Sequence, residues 1–180
     1  MEELRVYHGR PADLSGRIPQ ERDCYDLLDR LGISFQRTDH APTATMEVCK
    51  EIDAVLELDI CKNLFLCNRN RSRYYLLLMP GDKPFRTKEL SSQIGSTRLS
   101  FGKPEDMERL LRLTPGSVSV MGLMYDQAGE VQLLIDADVL ALPAFGCHPC
   151  INTSSIKMSM ADFRERLLPA LGHVPVIVHL

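Results

Sequence analysis

The chain has 180 residues, 44% of them apolar and 25% charged, which suffices to bury one domain's core without disulfides or a structural metal and excludes wholesale disorder. Its longest apolar runs, Tyr74 to Pro80 and Val174 to Val178, fall far below the roughly 18 residues of a membrane span. A net charge of −3 leaves no overall basic excess to hold a polyanion.

In chain order, residues Met1 to Pro19 hold several helix-blocking prolines and glycines and predict an N-terminal arm ahead of one domain, residues 20–180. Gln20 to Arg30 carries Cys24, Leu27, Leu28 and Leu31 at helical spacing, and Gly32 is its natural stop. Ile33 to Arg37 predicts a short strand. After the turn at His40-Ala41-Pro42, Thr43 or Thr45 can cap a helix running to about Leu56. Lys62 to Cys67 and Tyr74 to Met79 are apolar runs joined by a basic turn, which predicts a hairpin. Thr87 to Ile94 predicts a helix closed by Gly95, Arg98 to Phe101 a short strand, and Pro104 the first residue of a helix to about Leu113. Beyond Thr114-Pro115-Gly116, Ser117 to Met124 predicts a strand, turning at Asp126–Gly129 into a second strand, Val131 to Ile135. Asp138 to Ala141 predicts a helical turn, and Phe145 to Ile156 reads as extended. Ser159-Met160-Ala161-Asp162 is close to a capping box and starts a helix through about Leu168, before a last strand at Val174 to Val178. The sum is a single α/β domain, with a curved mixed, mostly antiparallel sheet flanked by helices.

Charge is unevenly spread. From Asn68 to Arg112 there are ten Lys and Arg against five acids, a local +5 that leaves −8 on the remainder. Such a segment can meet phosphates locally, although most charged stretches are solvated surface. The start Glu2, Glu3, Arg5 does not read as an export signal, so a cytoplasmic protein with no membrane partner is expected. The six cysteines are spread through the chain, several in apolar stretches, as reduced buried thiols are. Cys147-His148-Pro149-Cys150 has redox spacing, yet no helix follows to lower the first thiol's pKa. As half of a zinc site it needs a second pair, and Cys61 and Cys67 would stand roughly 20 Å apart along one strand. A meaningful His148 among incidental cysteines is the better reading. No serine nucleophile elbow, phosphate-binding loop or metalloprotease helix occurs. Lys62 and Asn63 open an apolar strand and can offer an anion a cation and a donor at a sheet mouth, whereas a solvent-facing lysine is the commoner case.

Those residues also carry a resemblance. Lys62-Asn63-Leu64-Phe65-Leu66 with Tyr74 to Pro80, Arg98-Leu99-Ser100-Phe101, Leu113 to Val118, Gly122 to Asp126 and Phe145 through Asn152-Thr153 resemble, in order, the YbaK/ProX family of aminoacyl-tRNA deacylases. The form of these motifs is most similar to the branch that clears alanine from mischarged tRNA for proline. The resemblance implies hydrolysis of the ester joining a misplaced amino acid to the terminal ribose. It implies mischarged tRNA as partner, with prolyl-tRNA synthetase as a second partner to consider, and no cofactor or metal. It assigns the catalytic role to Lys62 and substrate-binding roles to Asn63, His148, Gly116, Ser117 and Thr45. A cysteinyl-tRNA deacylase and a non-catalytic aminoacyl-tRNA or small-molecule binder are the alternatives. One departure stands out: the family's Gly-x-x-x-Pro loop begins at Gly116 but ends in Val120, which frees φ and adds a backbone N–H. An activated ester needs only a water in attack geometry and donors for the oxyanion, and the +5 segment becomes a candidate tRNA-facing surface.

Overall fold

The computed structural model describes residues 3–42 and 46–180, so the predicted caps Thr43 and Thr45 lie outside the described residues. Alternating apolar residues build two sheets that share one core. The first is antiparallel and four-stranded: β1 (Tyr7–His8), β2 (Phe35–Asp39), β8 (Ser154–Ser159) and β7 (Ala144–Cys147), in that spatial order. The second orders β5 (Ser100–Phe101), β3 (Lys62–Cys67), β4 (Tyr74–Met79), β6 (Val131–Asp136) and β9 (Val176–Val178). Its pairings are antiparallel except β4–β6 and β6–β9. The α/β class with a mixed, mostly antiparallel arrangement is therefore observed, its strands divided between two sheets.

Strand alternation explains why β4 is buried along its whole length. Tyr74, Leu76 and Leu78 face the larger core with Phe65, Leu133 and Ile135, while Tyr75, Leu77 and Met79 join Leu66 and Leu134 beneath the helix α3 (Thr87–Ile94). Helix α1 (Pro19–Arg30) starts on a proline at its first turn, where the missing N–H costs nothing, and buries Cys24, Tyr25 and Leu28 in the larger core. The segment before it is tied to the domain. β1 pairs with β2, the Gly9 N–H donates to the Phe35 carbonyl at 2.9 Å, and Arg17 bridges Glu21 and Asp39. Helix α2 (Met46–Leu56) precedes β3, and α4 (Pro104–Leu111) follows β5.

The structure corrects the strand predicted at Ser117 to Met124. Val120–Tyr125 is a 3-10 helix, started by Ser119, whose hydroxyl accepts the Met121 N–H at 3.2 Å. Residues 120–123 are all buried, and a short run that is apolar on every side carries no periodicity to separate helix from strand. The turn at Asp126 is real, its carboxylate accepting the N–H groups of Glu130 and Val131, but it delivers β6 to a parallel pairing with β4 rather than to a hairpin. The short helix α5 (Ala137–Leu140) leads to β7. The stretch predicted as extended from Phe145 to Ile156 is β7, a bend through residues 148–153, and β8. The last helix, α6 (Met160–Asp162) to α7 (Leu168–Leu171), is interrupted by a π turn at Phe163–Leu167. Among the described residues no helix is long and apolar enough to cross a membrane.

Candidate active site

The site is assembled where β3 begins, against the bend between β7 and β8 and the loop before the 3-10 helix. The first two side chains of β3 leave on opposite faces. Asn63 turns toward the larger core: its Nδ2 donates to the Cys61 carbonyl at 3.2 Å, and its Oδ1 accepts the Val120 N–H at 3.0 Å. The backbone donor that Val120 has and a proline would lack is thus taken by Asn63. Lys62, half-buried, leaves on the other face, and its ammonium donates to the Lys83 carbonyl in the loop after β4. That loop is anchored in turn. The Lys83 ammonium meets Asp136 and Asp138 at 2.7 Å each and the Leu180 carbonyl at 2.6 Å, with Asp136 itself buried.

Gly116 adopts φ +89°, and a Cβ there would sit 3.4 Å from Asn152 Nδ2. The positive φ favours glycine, and the loop lies in contact distance of the bend at Asn152. Ser117, expected as a substrate contact, is committed elsewhere. Its buried hydroxyl donates to the Thr114 carbonyl at 2.8 Å and accepts the Thr114 N–H at 3.2 Å, and its N–H also returns to that carbonyl. A short polar side chain in a tight turn finds its own backbone first. Ser119 ties the loop to the bend, donating to the His148 carbonyl at 2.6 Å. The N–H groups of Gly116, Val118 and Ser119 have no protein acceptor among the described residues. Thr45 lies outside the described residues.

His148 is held by its neighbours in one tautomer. Its Nδ1 lies 2.8 Å from the Ser154 carbonyl, which can only accept, so Nδ1 carries the proton and Nε2 presents a lone pair. His40 repeats the logic, with Nδ1 at 2.8 Å from the Ala41 carbonyl and Nε2 therefore accepting the Ser155 hydroxyl at 2.8 Å. The same Ser155 oxygen stands 3.3 Å from His148 Nδ1, and the two rings are 6.0 Å apart. Burial pushes both histidines below their ordinary pKa. For His148 the Ser154 carbonyl opposes the shift and the neighbouring His40 adds to it. Behind them, Ser154 donates to Asp39 at 2.9 Å. Burial alone would raise that carboxyl, but hydrogen bonds from Arg17, Arg37 and Ser154 outweigh it and hold Asp39 well below the usual carboxylate range.

Sequence reasoning missed His40, Ser119, Ser155 and Asn152 as parts of this group. His40 and Ser155 are 115 residues apart and meet only because β2 and β8 pair with Asp39 opposite Ser154; no local spacing signals that. Cys147 and Cys150 do not form a pair. Cys150 lies 3.4 Å, sulfur to sulfur, from Cys24, while Cys147 is buried and its thiol pKa is raised by that burial. Among the described residues no three His, Cys, Asp or Glu side chains converge as metal ligands. What remains on the Asn63 side of β3 is an imidazole lone pair and free backbone donors, equipment for placing a water and an oxyanion, while Lys62 stands at the strand end on the other face.

Residues 40–165 match the model of the aminoacyl-tRNA editing domain. The chain belongs to that family. The matched span takes in Lys62, Asn63, Gly116 and His148. A relative from Acetoanaerobium sticklandii, the prolyl-tRNA editing protein ProX, is 32% identical over 146 residues, covering 81% of this chain and 88% of the relative. The prolyl-tRNA synthetase associated domain-containing protein 1 of Danio rerio is 27% identical over 163 residues, covering 89% and 88% respectively. Among solved structures, a candidate trans-editing enzyme for prolyl tRNA synthetase superposes with a TM-score of 0.66 over 91% of this chain and 98% of its own, at 17% identity. That last likeness establishes the editing-domain fold.

Proposed function

We propose that this editing-domain protein hydrolyses the ester of mischarged tRNA for proline, with alanine as the amino acid removed. The observation that carries the proposal is His148, its Nδ1 proton fixed by the Ser154 carbonyl and its Nε2 lone pair left without a protein partner among the described residues. Neutral Nε2 holds a water for attack on the aminoacyl carbonyl. The water's oxygen bonds to the carbonyl carbon, its proton passes to Nε2, and the tetrahedral oxyanion is received by free N–H groups of the Gly116–Ser119 loop. Collapse breaks the bond to the ribose oxygen, which takes the proton back from His148, releasing the free amino acid and an intact tRNA 3′ end. Lys62 acts electrostatically from the strand end, offsetting the charge of the terminal nucleotide's phosphate, while Asn63 and Gly116 fix the loop.

Similarity to a prolyl-tRNA editing protein and to a prolyl-tRNA synthetase associated protein supports proline tRNA as the carrier. Alanine is supported by the motif branch, and selectivity against proline would then be steric. A second sieve of this kind is useful because one or two methylenes discriminate by only about 1–3 kcal/mol. The test is deacylation of tRNA for proline charged separately with alanine, cysteine and proline. Loss of alanine alone supports the proposal, and preferential loss of cysteine replaces the substrate. Stability of all three esters at micromolar protein overturns the hydrolase and leaves an aminoacyl-tRNA binder.

A further inference from the structure

Phe101 is the most exposed large aromatic among the described residues, with 64% of its surface in water. It stands on the two-residue edge strand β5, opposite Leu66 of β3. Directly opposed residues of an antiparallel pair point to the same face, and so do residues two and four apart on one strand. Phe101 therefore shares a face with Leu66, Leu64 and Lys62, and Lys62 lies about 13 Å along β3 from it. The edge that carries the ring is also held in place. Phe85 meets the Phe101 ring edge-on at 6.2 Å, the Gly102 N–H donates to the Phe65 carbonyl at 2.9 Å, and Gly102 packs so tightly on the Phe65 ring that a Cβ would come within 2.4 Å.

Cations lie near this edge in the chain. Arg98 and Lys103 flank β5 in the chain, and Arg69, Arg71 and Arg73 occupy the adjacent β3–β4 turn. All five are exposed, and none has a carboxylate within ion-pair distance among the described residues, although other surface arginines such as Arg10, Arg86 and Arg109 do. The turn is rigid. Asn68 Oδ1 accepts the N–H groups of Ser72 and Arg73 at 2.9 and 3.1 Å, and the Arg69 N–H donates to Thr97 Oγ1 at 3.1 Å, tying the turn to the approach of β5. An exposed aromatic ring on a held edge, with unneutralised cations near it in the chain, is what unpaired nucleotides select, since bases stack on the ring and phosphates meet the cations.

Resting on the tRNA-ester reading of the site, we propose that the β5 edge centred on Phe101, with Arg69 and Arg98 beside it, is the landing surface for the single-stranded 3′ segment of the tRNA. Phe101 stacks a base at the rim of the face that α3 closes over Leu66, about 13 Å along β3 from Lys62.

The test compares wild type with Phe101→Ala, Phe101→Tyr and the double variant Arg69→Ala/Arg98→Ala. Three probes are used: a short single-stranded RNA with the tRNA 3′ sequence, alanyl-tRNA for proline, and 3′-O-alanyl-adenosine, which lacks the rest of the strand. Phe101→Ala is expected to weaken binding of the short RNA roughly five- to hundredfold. It raises KM for alanyl-tRNA with kcat kept and leaves hydrolysis of alanyl-adenosine unchanged, and Phe101→Tyr restores binding. The arginine variant flattens the log–log salt slope by about 1.4, two phosphate contacts on a single strand. Binding by Phe101→Ala within twofold of wild type overturns the proposal, as does equal loss on alanyl-adenosine or a wild type that does not hold the short RNA. A wild type that binds the RNA through Phe101 but hydrolyses neither ester overturns the hydrolase reading alone.

Discussion

Replacing Asn63 by alanine removes the acceptor that holds the Val120 N–H at 3.0 Å. Val120 is 0% exposed, so its N–H is left buried without that acceptor. Leaving one buried donor unpaired costs about 1–3 kcal/mol, and in a domain of this size each kcal/mol lowers Tm by about 2–4 °C, giving an expected fall of roughly 2–12 °C. The pairing is specific enough to be tested by a double-mutant cycle. Val120→Pro deletes the donor at the first position of the 3-10 helix, where proline's φ is tolerated. In that background Asn63→Ala strands nothing, and its cost should shrink to a few tenths of a kcal/mol, a coupling of about 1–2 kcal/mol between the two sites. Urea unfolding of the four proteins, followed by circular dichroism at constant m-value, reads both numbers. Additive effects of the two substitutions would refute the reasoning. A normal Tm with abolished deacylation in Asn63→Ala would show that Asn63 serves the substrate rather than the loop.

Other expectations concern the chemistry. His148→Ala should lower kcat on alanyl-tRNA by roughly 10²–10⁴-fold, the range for a positioned proton acceptor, with the fold intact by circular dichroism; a loss below threefold would remove His148 from the reaction. Because burial depresses the pKa values of His148 and His40, kcat/KM above background should be level through neutral pH and fall only below the ordinary histidine value of 6.5. Stability follows the same sign. The unfolded chain takes up protons first as pH drops through 6.5, so the fold loses stability on the acid side, and a Tm that rises on acidification would contradict the buried neutral pair. The Cys147→Ser/Cys150→Ser double variant should keep its deacylation rate within a few-fold, whereas metal-dependent or thiol-titratable loss would restore those cysteines to the mechanism. Val120→Pro should tighten amino-acid selectivity through a stiffer loop, and unchanged alanine-to-cysteine and alanine-to-serine rate ratios would count against that.

The parts of this molecule that local pattern controls were legible in the sequence. The hairpin of β3 and β4 could be read because two apolar runs flank a polar turn, and α3 and α4 because Gly95 and Pro104 mark their limits. The parallel seating of β6 beside β4 could not, since a strand buried on both faces has no polar side to reveal its neighbour. The 3-10 helix at Val120–Tyr125 was hidden for the same reason. In the site, Asn63, Gly116 and His148 were named from motif order, and the structure gathers them around one loop. Lys62 stands on the opposite face of β3 from Asn63, a consequence of simple alternation between adjacent residues that motif matching alone overlooks. His40 and Ser155 became visible only through the β2–β8 pairing.

The most direct test of the central claim is the single-turnover hydrolysis of alanyl-tRNA for proline by wild type and by Lys62→Ala. The Lys62 ammonium contacts only the Lys83 carbonyl among the described residues, so its removal should leave Tm close to that of wild type. The account predicts rapid loss of alanine with the wild-type protein and loss of most of that rate in the variant. A well-folded Lys62→Ala that clears alanine at the wild-type rate would contradict it.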